Sequence, residues 1–352
     1  MLKPRKQTLA ALGWFPLGLI VLFACSGQAN AQDAIPEIVT TGLNNPSGVA
    51  IQPNTGHVFV ADSGAGRIVR VVGGKVEAVI TDFPTEGYGT NPTYKIGPLG
   101  LLFLDEETLV VGGGGLPDGE DLLRVFKIPR VGEQAIKASK IFSKSLLAGD
   151  NEGKKPGEGN FYGLALGNAG IFVTCNGDDS KGWVSLATLS PDNSIKTFSR
   201  SIATKVATKV DAPVAITTSP ERYLAVGQMG EVKNVKDSLL TFYSQAGTTL
   251  GVFETGLNDI TGLAYGPRHG RLFALDFNWA NPQRGGLYKL VKMKSETACE
   301  AVLMSRLEKP TALVFTDGGD CYITLAGSTN PANGKPDGKL VIIRQLDIDP
   351  NQ

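Results

Sequence analysis

The sequence predicts an all-β fold, a closed propeller of six blades, each of four antiparallel strands. Three observations carry that prediction. A two-strand unit recurs six times; the chain is one strand short after its last unit and one strand long before its first; and no stretch shows sustained helical periodicity.

Before the repeats comes a leader. Lys3, Arg5 and Lys6 form a basic start, LAALGWFPLGLIVLFA an apolar core, and Ala29-Asn30-Ala31 a small-x-small cleavage site, the layout of a secretory signal peptide over residues 1–31. An uncleaved membrane anchor is the rival, disfavoured because the apolar run is short and Pro16 interrupts it. Leu22-Phe23-Ala24-Cys25 has the shape of a lipoprotein box, with bulky Phe23 against it, so lipidation at Cys25 ranks below simple secretion. The mature chain, residues 32–352, is then expected to be a single propeller domain, secreted or periplasmic, with no membrane span.

Composition narrows the partners. Beyond residue 31 stand 31 basic and 34 acidic side chains, a net charge of −3. That balance leaves no electrostatic footprint for nucleic acid, and no block of like charge points to a polyionic partner. Cys175, Cys299 and Cys321 are too few for a disulfide scaffold and lack zinc-site spacing; Cys299–Cys321 is the one bridge expected, from strand parity that puts both on the short-loop face of neighbouring blades.

Each repeat opens on a small residue, runs through an apolar strand, turns on polar residues and returns as a second apolar strand. The openers are Gly48, Gly100, Gly163, Ala215, Gly262 and Ala312, at spacings of 52, 63, 52, 47 and 50. Short β-branched strands punctuated by Gly, Pro, Asn and Asp are what antiparallel sheet requires. The sixth unit supplies ALVFT, CYITL and KLVIIRQL and then ends, whereas EIVTTG (37–42) precedes the first. Placing that N-terminal strand on the last blade completes the count and removes an open sheet edge.

The first repeat, with Gly-Leu-x-x-Pro-x-Gly-Val-Ala (42–50) and Val-Phe-Val-Ala-Asp (58–62), resembles an NHL repeat, and the whole chain resembles six-bladed propellers of the NHL and gluconolactonase/regucalcin-like kind. The gluconolactonase side of that resemblance implies a divalent metal at the channel mouth, held by Glu, Asn and Asp, with one acid from the first innermost strand in a Glu-Gly-Pro context. Here Pro46-Ser47-Gly48 stands at that place, so Ser47 replaces the acid.

Strand alternation also predicts a working face. With strands A (innermost) to D (outermost), the A–B turns are short, whereas the long B–C connections (112–121, 175–182, 227–237, 276–286 and 326–338) and the D–A connections 83–98 and 148–160 fall on the other face. Elaborated loops on one side of a rigid scaffold are where binding or catalysis sits. They carry Tyr88, Tyr94, Phe161, Tyr162, Trp183 and Trp279 among amides and charges. Aromatic faces beside amides suit a protein, peptide or glycan. The expected ligand-binding set is Trp279, Asn278, Asp276, Trp183, Tyr88 and Tyr162; each aromatic has the alternative role of anchoring its own loop.

Catalysis has fewer resources. Asp62, Asn176 and Asp276 lie near the upper ends of second strands and form the oxygen set for one divalent cation such as calcium; alternatively each Asp caps its own turn, as DSGAG after Ala61 suggests. His57 and His269 fall in A–B turns away from the long loops, so no Ser/His or Cys/His pair is expected on the working face. Cys175, beside CNGDD, reads as a buried thiol, and the adjacent pairs Glu120-Asp121 and Asp178-Asp179 lack the opposed geometry of glycoside hydrolysis. The glycine run 112–115 has no following helix and no Lys-Ser/Thr, so it is not a phosphate loop. Two readings follow: a non-catalytic binding module using the loop-rich face and needing no cofactor, and a metal-dependent hydrolase or lyase of lactonase type.

Overall fold

A computed structural model describes residues 34–89, 93–117, 119–147, 158–176, 181–293, 295–329 and 334–348. The leader, Cys25 and the Asp178-Asp179 pair lie outside the described residues. Six antiparallel sheets follow one another round the ring. Their innermost strands are Pro46–Ile51, Pro98–Phe103, Phe161–Leu166, Pro213–Thr218, Ile260–Tyr265 and Pro310–Phe315. Each holds one of the predicted openers. The N-terminal strand Glu37–Leu43 lies antiparallel on Gly338–Ile343, as the outermost strand of the sixth sheet. The one α-helix among the described residues is Thr204–Thr208, and none is long and apolar enough to cross a membrane.

Why the openers are small is visible in the packing. A Cβ on Gly100 would sit 2.5 Å from the carbonyl oxygen of Tyr162, and one on Gly163 2.6 Å from that of Val214. A Cβ on Gly48 would run into the carbonyl oxygen of Leu99. In the first three blades the innermost strand thus presses its backbone against that of the next blade and only Gly fits, whereas at Gly262 a Cβ would meet the Leu313 and Leu275 side chains, and the fourth and sixth openers, Ala215 and Ala312, accommodate a methyl group. The second strands are buried on both faces because each blade is sandwiched between two others; Val58–Asp62 and Thr108–Gly113 are buried throughout. The core therefore lies in wedges between blades. Between the first and second, Phe59 meets Phe103 edge to face at 4.9 Å, with Phe126 and Leu109 beside them. Burying one such side chain is worth ~1.5–3 kcal/mol.

Two features were not expected. The second blade's C–D connection is long, on the face where the others are short. Its Ile136–Lys137 pairs in parallel with Ile80 and Thr81 on the outer edge of the first blade. Arg70, 1% exposed, secures it: its guanidinium donates to Glu77 and to the carbonyls of Pro129 and Arg130 at 3.0–3.3 Å. The other is a small hairpin, Glu86–Tyr88 with Tyr94–Ile96, inside the first D–A connection.

The expected Cys299–Cys321 bridge is not formed, and each is a buried thiol. Cys321 is on a second strand, packed in the wedge between the fifth and sixth blades, whereas Cys299 is on the outermost strand of the fifth. Two strand positions separate them radially, ~10 Å, beyond the ~4–7 Å that a disulfide spans.

Candidate functional site

The residues just before the six openers, Ser47, Leu99, Tyr162, Val214, Thr261 and Thr311, all line one cavity of about 90 Å³ that opens to solvent. The first residues of the innermost strands therefore form its floor, at the loop-rich end. Three floor hydroxyls are committed to the backbone of the next blade. Ser47 Oγ is shared between the carbonyls of Pro98 (3.1 Å) and Leu99 (3.3 Å). Thr261 Oγ1 donates to Pro310 O and Thr311 Oγ1 to Pro46 O, each at 2.8 Å. Tyr162, from the third blade, donates its phenol to Thr311 O on the opposite, sixth blade (3.1 Å). The ring therefore crosses the propeller axis.

Loops supply the walls. The unexpected hairpin brings Tyr88 and Tyr94, and the fifth blade's B–C loop brings Phe277 and Trp279. Trp279 stands edge-on to Tyr94 at 5.2 Å and lies tilted on Phe277 at 4.5 Å. Asn45, Asn160 and Asn176 add amides, and Asn176 Nδ2 lies 3.3 Å from the Tyr88 hydroxyl. Among the described residues no carboxylate, imidazole, thiol, ammonium or guanidinium lines this cavity.

Carboxylates lie behind the wall instead. Asp259, 1% exposed, accepts the Trp279 N–H at 2.6 Å. Burial, with Asp276 and Asp237 nearby, raises its pKa to about 7. Asp121, also 1% exposed, accepts the N–H of Asn160 (3.0 Å) and of Leu116 (3.2 Å), and burial raises its pKa to about 6. These acids hold the loops that carry the wall residues.

The expected sites divide accordingly. Trp279, Tyr88 and Tyr162 come together in the cavity, and Asn176 joins them as a wall amide. Asp276 and Asn278 are buried loop supports: Asp276 accepts the N–H groups of Asn258, Asp259 and Asn278, and Asn278 Oδ1 accepts that of Asn281. Asp62 accepts the Asn44 N–H (2.6 Å) and pairs with Arg67 (2.7 Å). Both carboxylates are thus engaged by backbone N–H groups, and the described residues hold no group of three or more His, Cys, Asp or Glu suited to a metal. Trp183 is outside the cavity, packed in the wedge between the second and third blades with the cations of Lys181 and Arg200 over its ring at 5.7 and 5.5 Å. The two histidines are in A–B turns, as expected. Cys175 is fully buried, its pKa raised by desolvation, and its thiol donates to Ser185 Oγ.

Four floor residues, Leu99, Val214, Thr261 and Thr311, were not among the expected sites; they share with Ser47 and Tyr162 the register one before each opener, and that column, taken across the six repeats, is the signal that marks them.

The comparisons with known proteins agree with this architecture. Residues 43–70 match the NHL repeat family. No curated protein matches the chain. Among solved structures, an aldose sugar dehydrogenase from Streptomyces coelicolor in its PQQ-bound form is similar at TM-score 0.58 and 13% identity, over 87% of this chain and 96% of its own. A glucose dehydrogenase from Thermus thermophilus matches at 0.55 and 15%, over 88% and 99%. A gluconolactonase from Xanthomonas campestris matches at 0.53 and 15%, over 88% and 90%. At such identities the likeness establishes the shared propeller fold, and function rests on the site.

Neither the divalent cation that the resemblance implies nor the PQQ bound by the Streptomyces coelicolor enzyme fits this cavity. A hard divalent cation is held mainly by carboxylate oxygens, and the lining offers only neutral ones, with Ser47, Thr261 and Thr311 already bonded. PQQ carries three carboxylates and would need cations, which the described lining lacks.

Proposed function

We propose that this chain is an exported binding module, acting after removal of its leader, that captures a protein, peptide or glycan on its loop-rich face with the mouth cavity as the capture point. The observation that carries the reading is the lining: aromatic rings and amides converge there, with no acid, base or thiol among the described residues. Aromatic side chains supply contact area at low entropic cost, and the amides beside them supply direction. A second reading, a divalent-metal-dependent lactonase, is favoured by the gluconolactonase among the similar structures; the donor set of the cavity weighs against it.

Peptide and glycan arrays probed with wild type and Trp279→Ala test the first reading. The expected result is saturable binding by the wild type that weakens at least tenfold in the variant, while the melting temperature moves by only a few degrees. Equal binding by both proteins would remove Trp279 as an anchor. A stoichiometric divalent ion in the purified protein, together with lactone hydrolysis lost on chelation, would replace the first reading with the second.

A further inference from the structure

The cavity and the surface beside it together limit the chemistry of a partner. The cavity, at about 90 Å³, has room for one side chain and none for an extended chain. Leu99, Val214, Met229, Phe277 and Trp279 make its lining predominantly apolar. Most of its polar groups are spent. Ser47, Tyr162, Thr261 and Thr311 donate to backbone carbonyls, Asn45 Nδ2 donates to Lys95 O, and Asn176 Nδ2 to the Tyr88 hydroxyl. Trp279 Nε1 and Asn160 Oδ1 are shielded and so offer nothing to an occupant. A sugar would give up hydrogen bonds to water here and recover few of them, whereas an aliphatic or aromatic side chain has none to give up.

The surface beside the cavity is built from two connections. The helix Thr204–Thr208 leads through residues 209–212 into the fourth innermost strand, and the fourth blade's B–C loop runs on from Met229, a lining residue. The Met229 N–H donates to Ala212 O (2.8 Å), Gln228 Nε2 donates to Thr208 Oγ1 (2.8 Å), and Lys205 pairs with Asp211 (2.7 Å). The two connections therefore lie side by side at the edge of the cavity. They carry Val206, Val232 and Val235, which are 45–68% exposed, among the exposed Lys209, Lys233 and Lys236. Of the loop's acids, Asp237 accepts the Glu231 N–H (3.0 Å) and its other oxygen is shielded, so Glu231 is the exposed one. Apolar side chains set among cations complement a partner that sets apolar side chains among anions.

We propose that the partner is a protein presenting an acidic peptide segment with one apolar residue: that side chain seats in the cavity, and the flanking carboxylates meet Lys209, Lys233 and Lys236. This rests on the binding reading above and selects a peptide over a glycan. The cavity takes one side chain at a time, as a peptide supplies it. A lipid surface would engage the valines and lysines and leave the cavity unused.

The test titrates the full-length protein, labelled at its methionine methyl groups, with three capped pentapeptides. The first has one leucine with two acidic residues on each side, the second has serine in place of the leucine, and the third has amides in place of the acids. The chain has four methionines, and the peak that Met229→Leu removes reports on the cavity. The acidic leucine peptide is expected to move that peak saturably at low salt. The serine and amide peptides should each bind at least tenfold more weakly, and high salt should erase the advantage of the acids. A variant with Lys209→Gln, Lys233→Gln and Lys236→Gln should lose the preference for acids, keep the preference for leucine, and melt as the wild type does. Equal affinity for acidic and amide peptides would overturn the proposal, as would equal affinity for leucine and serine or an unmoved Met229 peak on binding. Binding to phosphatidylglycerol vesicles with none to the peptides would replace the peptide by a lipid surface. No response to any probe at millimolar concentration would overturn the inference altogether, and the arrays would decide the binding reading on their own.

Discussion

Replacing Asp259 by Asn separates the charge of this residue from its hydrogen bond. The carboxylate accepts the Trp279 N–H, and an amide oxygen can accept it equally. What disappears is a buried charge whose pKa is raised from 3.8 to about 7, chiefly by burial and then by Asp276 and Asp237. The sign follows from proton counts. Between pH 3.8 and about 7 the folded protein keeps a proton that the unfolded chain has released, so stability falls as pH rises through that window and is level above it. At 1.36 kcal/mol per pH unit, the two units from pH 5 to pH 7 correspond to ~3 kcal/mol. The stability of Asp259→Asn relative to wild type should therefore increase by ~3 kcal/mol between pH 5 and pH 8. Urea denaturation at both pH values, with m-values compared, measures it. Parallel pH profiles for the two proteins would refute the reasoning, because the raised pKa would then not belong to Asp259.

Three other outcomes follow. Gly48→Ala drives a methyl group into the Leu99 carbonyl and should cost ~3 kcal/mol; a change below ~0.5 kcal/mol in the denaturation midpoint would remove the close-approach account of the openers. Arg70→Ala removes the donor to Glu77 Oε2 and to two loop carbonyls, while Glu77 keeps the Gly132 N–H, with an expected loss of ~1–3 kcal/mol and faster hydrogen exchange across residues 128–138. Cys175 and Cys321, both fully buried, should resist a water-soluble thiol reagent in the native protein and react on denaturation, and reductant should leave the melting temperature unchanged; a reductant-sensitive melt would restore a disulfide.

The ring was legible because its causes are local and repeated. Small openers, apolar second strands and a mismatch of one strand at the two ends each follow from blade-on-blade packing, and the pattern returns even where the NHL signature itself is weak. The hairpin carrying Tyr88 and Tyr94 was not legible, nor was the pairing of Ile136–Lys137 with the first blade. The second joins strands far apart in sequence, the hairpin finds its packing partners Phe277 and Trp279 far along the chain, and Arg70, which holds the Ile136–Lys137 segment, reads in isolation as an ordinary charge on a strand. The site was half legible for a related reason. Trp279, Tyr88 and Tyr162 were picked out as aromatics in polar loops, but Trp183 satisfies the same description and packs between blades. Sequence parity assigns a face to a residue and does not assign its distance from the axis.

That distance also explains the fate of the acids. An Asp closing a second strand stands within reach of two things, the channel mouth and the amide N–H groups of the loop that leads into its own blade. In this chain Asp62 and Asp276 take the second course: each accepts the N–H at the start of that loop, Asn44 in the first blade and Asn258 in the fifth. Asp259 and Asp121 do the same for the loops that carry Trp279 and Asn160. Asp276, accepting three backbone N–H groups, and Asp121, accepting two, have few lone pairs left for a metal, and Asp62 spends its own on the Asn44 N–H and the Arg67 guanidinium. With Ser47 at the position where the resemblance calls for an acid, the mouth has lost its remaining route to a charged lining. Carboxylates beside the mouth are thus spent on loop backbones, and two of them, Asp259 and Asp121, set the positions of a tryptophan and an asparagine. The raised pKa of Asp259 is the physical cost of that use, and capture at the mouth should depend on that carboxylate through the backbone of Trp279.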